Sequence, residues 1–167
     1  MNTVIYIYSY HKGNTRKVAE AMAPMLGASI IEIAKDGSVT KELNLNDYDL
    51  VGFGAGIAFS KHYKQLLQFA GELDTVEGKK AFIFSTAGLH SKEKMIKHHS
   101  PLHKILAEKG FEIVDEFACK GHDTFSVLKL IGGINKGRPN EEDLQKAKEF
   151  AQGLLGNTND EKAEEAK

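Results

Sequence analysis

Residues Thr3-Val4-Ile5-Tyr6-Ile7-Tyr8 form an unbroken run of β-branched and aromatic side chains. A run this short with this composition reads as a strand buried on both faces. A polar loop follows at once: Ser9, Tyr10, His11, Lys12, Gly13, Asn14 and Thr15. The pattern then changes to helical spacing, with Val18, Met22, Met25 and Leu26 on one face and Gly27 as a C-cap. A strand, a short loop and a helix start together make an anion site. The first N–H groups of a helix have no acceptor within the helix, and its dipole favours negative charge there. Gly13 lets backbone approach a ligand closely, and Ser9 and Thr15 add hydroxyl donors. The spacing fits neither G-x-G-x-x-G nor G-x-x-x-x-G-K-[ST], so a dinucleotide fingerprint and a P-loop are both excluded. An ordinary strand-to-helix turn with Asn14 as N-cap stays open from these residues alone.

The rest of the chain repeats the alternation. Ser29 to Ile33 reads as a second strand and 35–46 as a loop. Leu50-Val51-Gly52-Phe53-Gly54 is a third strand leading into a loop through Ser60, and a helix is expected from about His62 to Leu73. Lys80 to Thr86 is a fourth strand, followed by a second small polar loop through Ser91. Pro101 is expected to divide the next helix into pieces at 92–99 and 101–109. Phe111 to Ala118 is a fifth strand, and Cys119 to Arg138 has no clear pattern. Asn140 caps a last helix with Glu141, Glu142 and Asp143 in its first turn, and Leu144, Ala147, Phe150, Ala151, Leu154 and Leu155 as its apolar face. Residues 1–155 thus read as one domain, and the charged stretch 156–167 as a disordered tail. Alternating strands and helices imply an α/β fold with a doubly wound, five-stranded parallel sheet in the order 2-1-3-4-5. Its ligand crevice would lie at the carboxyl ends of the strands, where the order reverses.

Composition narrows the function class. A net charge of -1 over 167 residues leaves no electrostatic footprint for nucleic acid. The single cysteine, Cys119, excludes an intrachain disulfide and a CxxC pair, and reads as a small buried residue. No run reaches membrane-spanning length, and no basic segment precedes the first apolar run, so a cytoplasmic protein is expected.

The doubly wound order places the loops Ser9–Thr15, Gly54–Ser60 and Thr86–Ser91 around one crevice. Together, Gly13-Asn14-Thr15, Asp47-Tyr48-Asp49-Leu50-Val51, Gly54-Ala55-Gly56-Ile57 and Ser85-Thr86-Ala87-Gly88 resemble a single-domain flavodoxin over residues 3–155. The resemblance implies that FMN is bound. Ser9, Tyr10, His11, Lys12, Gly13, Asn14 and Thr15 would surround its phosphate. Ala55, Gly56, Ile57, Ala58 and Phe59 would pack along one side of the ring. Thr86, Ala87, Gly88, Leu89 and His90 would hold its pyrimidine edge and other side. Gly56 matches the position whose peptide turns toward ring N5 on reduction. The chain has no Trp to sandwich the ring, and Phe59 and His90 are the nearest substitutes. It is also less acidic than flavodoxins commonly are. The implied function is an electron carrier between redox partner proteins, as a monomer or homodimer, with no side chain acting as acid, base or nucleophile.

The alternative is a flavin-dependent oxidoreductase acting on a quinone, NAD(P)H or a porphyrinogen. Gly54-Ala55-Gly56-Ile57 with Lys61-His62 is similar to the menaquinone-linked protoporphyrinogen dehydrogenase branch. Phe125, Leu128, Leu130 and Ile131 would then contact a substrate, or else cover the sheet edge. A phosphoacceptor receiver domain shares the strand order but needs an Asp ending the third strand, where Gly54 stands. His98, His99 and His103 read as surface residues rather than metal ligands, because Pro101 disturbs the helix that would align them. The lysines between 92 and 104 form a solvated face or a docking face for an acidic partner.

Overall fold

The computed structural model describes residues 1–10, 12–88, 91–123 and 133–165, with 157–165 described as helix backbone only. His11, Leu89, His90 and the four apolar residues named between 125 and 131 lie outside the described residues. The elements run in order β1 (Thr3–Tyr8), α1 (Asn14–Leu26), β2 (Ser29–Glu32), a 3-10 turn (Leu45–Asp47), β3 (Leu50–Ala58), β4 (Lys61–His62), α2 (Lys64–Glu72), β5 (Lys79–Ala87), α3 (Lys92–Glu108), β6 (Phe111–Lys120) and α4 (Glu141–Glu165).

The main sheet has the order β2-β1-β3-β5-β6 with every neighbouring pair parallel. This is the doubly wound order expected from the sequence, with the short β4 added antiparallel to β3. Side chains of β1 alternate between two cores. Val4, Tyr6 and Tyr8 join the layer containing Leu66, Phe69, Leu102 and Leu106 of α2 and α3. Ile5 and Ile7 join the layer containing Val18, Met22 and Leu154 of α1 and α4. Burial on both faces is what made these strands legible as apolar runs.

Local differences from the expectation have physical causes. Residues 59–62 form a hairpin, so α2 starts at Lys64 rather than His62. Phe59 and Ser60 both have positive φ, 51° and 62°, as a two-residue type I′ turn requires. Neither is the Gly or Asn that normally marks such a turn. α3 is one helix through Pro101 rather than two pieces. Pro101 forfeits one helical bond, a loss of roughly 3 kcal/mol. Leu102 and Leu106 are fully buried, and burying two such side chains contributes about 3–6 kcal/mol. α4 continues to Glu165 rather than ending at Leu155. Extending an existing helix fixes only one residue per added bond, and Glu161, Lys162, Ala163, Glu164 and Glu165 at its end are strong helix formers. At its start, Asn140 Oδ1 accepts the Asp143 N–H at 3.0 Å and Asp143 Oδ2 accepts the Asn140 N–H at 2.9 Å, a reciprocal cap.

Candidate functional site

β1 sends the chain across one face of the sheet and β3 sends it across the other. A cleft of about 370 Å³ opens at that divide, lined by Tyr10, Asn14, Thr15, Gly56, Ile57, Tyr63, Thr86, Ala87, Gly88, Gly121, His122 and Asp123. The ends of β1, β3, β5 and β6 supply these residues, with Tyr63 from the junction of β4 and α2. A second hollow, of about 960 Å³, carries the carboxylates of Glu42, Glu72 and Asp74. That charge repels a phosphate, whereas the cleft receives the N-terminal end of α1.

The loop after β1 turns through two residues with positive φ, Lys12 at 53° and Gly13 at 67°. Gly13, not Asn14, stands at the N-cap, so no capping side chain projects there. Asn14 and Thr15 open the helix inside the cleft and are both buried. Ser9 turns back, and its Oγ accepts the Arg16 N–H at 3.2 Å. Thr15 Oγ1 lies 3.1 Å from Thr86 Oγ1, joining the first loop to the third. Asn14 Nδ2 donates to the His122 carbonyl at 2.9 Å, joining it to the end of β6. Asn14 Oδ1 is buried with no hydrogen-bond partner among the described residues. A buried acceptor left unmet is costly, and a ligand hydroxyl would satisfy it.

Small residues let these loops close together. A Cβ on Gly56 would come within 2.9 Å of Tyr63 Cε2, one on Gly88 within 2.7 Å of Asp123 Oδ2, and one on Gly121 within 2.9 Å of Asn14 Nδ2. The Gly56 carbonyl accepts the Tyr63 N–H at 3.2 Å, so turning that peptide toward a ligand gives up this bond.

Tyr8, Tyr10 and Tyr63 form an aromatic wall. Tyr8 and Tyr10 stack at 6.5 Å, and Tyr63 meets them edge-on at 5.5 and 6.4 Å. Burial, and then the Asp123 carboxylate, push the Tyr63 hydroxyl up to about 12. Tyr63 is therefore a neutral donor at any working pH.

Of the residues expected from the sequence, Tyr10, Asn14, Thr15, Gly56, Ile57, Thr86, Ala87 and Gly88 meet in the cleft. Ser9 lies beside it and contributes to an adjoining hollow. Lys12 is exposed. Ala55 is fully buried in β3, and Phe59 stands at the hairpin tip, 83% exposed, outside the cleft lining. The aromatic rings of the cleft are Tyr10 and Tyr63 instead. Tyr63, Gly121, His122 and Asp123 escaped the sequence reading. The one available signal was Gly121, a small residue at a strand end like those of the other loops. His99 is not at the surface: it is fully buried, held by Ser85 and Glu116. Among the described residues no group of three or more His, Cys, Asp or Glu is arranged to hold a metal ion, and no helix is long and apolar enough to cross a membrane.

An uncharacterised protein of Methanocaldococcus jannaschii is 45% identical over 157 residues, covering 94% of this chain and all of that protein. Oxidised flavodoxin 1 from Bacillus cereus superposes with a TM-score of 0.63 at 20% identity, over 92% of this chain and 97% of that one. A flavoprotein from Lactobacillus acidophilus, solved in complex with FMN, superposes with a TM-score of 0.52 at 13% identity, over 71% and 93%. The family model of the flavodoxin domain matches residues 5–122. With its strand order, its cleft at the switch point and this match, the chain belongs to the flavodoxin family.

Proposed function

We propose that this protein binds FMN in the cleft and carries electrons between redox partner proteins. The observation that carries the reading is the start of α1 inside the cleft, with Asn14 Oδ1 buried and unmet beside it. In this reading the first turn of α1, with Ser9 and Thr15, holds the phosphate. Asn14 accepts from a side-chain hydroxyl of the cofactor. Tyr10 and Tyr63 exclude water from the ring, and the glycines at 56, 88 and 121 leave room for it. The bound flavin supplies the one- or two-electron chemistry, and the protein supplies orientation and electrostatics. The exposed Phe59 beside the cleft gives a partner an apolar point of contact. The buried Cys119 thiol, pushed up to about 12 mainly by burial, is a packing residue and takes no part in the redox chemistry.

The test is a fluorescence titration with FMN and FAD, checked by thermal unfolding. FMN at about 100 times its Kd should stabilise the fold by about 2.7 kcal/mol, and FAD should bind more weakly. Equal or tighter FAD binding overturns the phosphate assignment. His122, Asp123 and Tyr63 in the cleft favour a second reading, an FMN-dependent reductase of small quinones. Steady NADH oxidation with a soluble quinone would select it over the carrier.

A further inference from the structure

The connection from β2 to β3 contains a 3-10 turn and no helix. On that face β1 is therefore covered by α2 and by the loop through Val39 and Leu43. The hollow of about 960 Å³ lies between them. Its size falls within the range of small-molecule sites, about 300–1,000 Å³. It shares no lining residue with the cleft. The loop is held in place: Gln65 Nε2 of α2 donates to the Lys35 carbonyl at 3.4 Å, and Val39 pairs with Ile33 in a backbone bridge.

The rim of the hollow is negative and its depth apolar. Glu42, Glu72 and Asp74 are exposed, and no lysine, arginine or histidine lines the hollow beside them. Glu72 accepts from Gln68 Nε2 at 3.0 Å, and none of the three has an ion pair among the described residues. They are not arranged to hold a metal ion, since no group of three such ligands converges among the described residues. Val39, Leu43 and Leu73 are half-buried below them, against the buried Phe69.

Tyr6 of β1 forms the floor. It is 2% exposed, and its ring is fixed between Phe53 at 5.9 Å and Phe69 at 4.7 Å. With the ring covered, the hydroxyl is the part that meets the hollow. It has no hydrogen-bond partner among the described residues. A phenylalanine would fill this layer as well, without a polar group to satisfy. Burial, and then Tyr48, push the hydroxyl up to about 12, so it is a neutral donor. An apolar-walled hollow with one unmet phenol at its floor and three carboxylates at its rim matches a ligand that is polar at one end and cationic at the other.

We propose that this hollow is a second ligand site, which takes a small organic amine. The ammonium group lies at the rim among Glu42, Glu72 and Asp74. A short apolar body packs on Leu43, Phe69 and Leu73, and an oxygen at its far end accepts from the Tyr6 hydroxyl. The same rim charge rejects carboxylates and phosphates. The site stands apart from the FMN reading, and binding there makes or breaks no covalent bond.

The test is isothermal titration of the full chain with tyramine, which carries an ammonium group, an aromatic ring and a phenol oxygen. Wild type should bind tyramine and leave 4-hydroxyphenylpropionate, the same shape with a carboxylate, unbound. Saturating FMN should not change the tyramine affinity. Tyr6→Phe should weaken tyramine roughly two- to twelvefold, the value of one hydrogen bond. Its melting temperature should not fall, because the hydroxyl has no protein partner to lose. Glu42→Gln combined with Glu72→Gln should weaken tyramine roughly two- to thirtyfold, as expected for two exposed ion pairs. Absence of tyramine binding, or equal binding of the carboxylate analogue, overturns the site. Wild-type affinity in either variant overturns it as well. Displacement of tyramine by FMN would put the amine in the cleft, and a lower melting temperature in Tyr6→Phe would give the hydroxyl a structural role; each overturns the proposal.

Discussion

Thr15 is the residue on which the cofactor reading turns most directly. It is 2% exposed, opens α1, and its hydroxyl is 3.1 Å from that of Thr86. Thr15→Ala releases one loop from another and, in the proposed FMN site, removes a donor at the phosphate end. A hydrogen bond to a charged group is worth about 1.5–3 kcal/mol, so FMN should bind roughly ten- to a hundredfold more weakly. Riboflavin, which lacks the phosphate, should change far less in a parallel titration. Gly56 is a different case. An added Cβ would meet the Tyr63 ring at 2.9 Å, so Gly56→Ala must displace part of the aromatic wall. Overpacking of this kind costs about 1–3 kcal/mol. The expected outcome is weaker binding of oxidised FMN and of riboflavin alike, which separates this variant from Thr15→Ala.

At the scale of elements, β3 and β5 show how a strand tolerates glycine. Gly52 lies opposite Phe82 and Gly54 opposite Phe84. A Cβ at Gly52 or Gly54 would come within 2.4 or 2.1 Å of Phe82 or Phe84 Cζ. Each ring covers the backbone that the glycine leaves bare, so the pair forms one packing unit. Gly54→Ala should cost the fold about 1–3 kcal/mol or more, read by urea denaturation. Gly153, within α4, is the control: it is exposed and a Cβ there meets nothing within 4 Å. Gly153→Ala should stabilise by about 0.5–1 kcal/mol, since it only removes backbone freedom. Destabilisation by both substitutions would mean that glycine matters for a reason other than the facing phenylalanines.

For the molecule as a whole, His62 sets an acid limit. Its folded value of about 3 lies below the ordinary value of 6.5, because burial disfavours the charged ring. Below about pH 6.5 the unfolded chain therefore binds the extra proton and the folded chain does not. The stabilisation is fully present above that pH and is lost as pH falls toward 3. Between pH 7 and pH 5 this one group should remove about 2 kcal/mol from the stability of the whole fold. Urea denaturation at the two pH values measures it. His62→Gln should flatten the difference, and an unchanged difference would assign the acid sensitivity to other groups.

The sequence by itself determined the alternation of strands and helices, the order of the sheet and the position of the loop after β1. Those properties rest on periodicity and on small residues at strand ends, which neighbouring residues carry between them. The N-cap of α4 was legible for the same reason, since Asn140 and Asp143 are three apart. Only the tertiary structure decided the hairpin at 59–62, the continuity of α3 through Pro101, the burial of His99 and the entry of Tyr63, His122 and Asp123 into the cleft. The hairpin carries no turn residue to announce it, and α3 is held by packing against the sheet. Thr15 and Thr86 are 71 residues apart, and Asn14 and His122 are 108 apart. Such contacts depend on how the sheet brings distant strand ends together, and no local pattern along the chain encodes that distance.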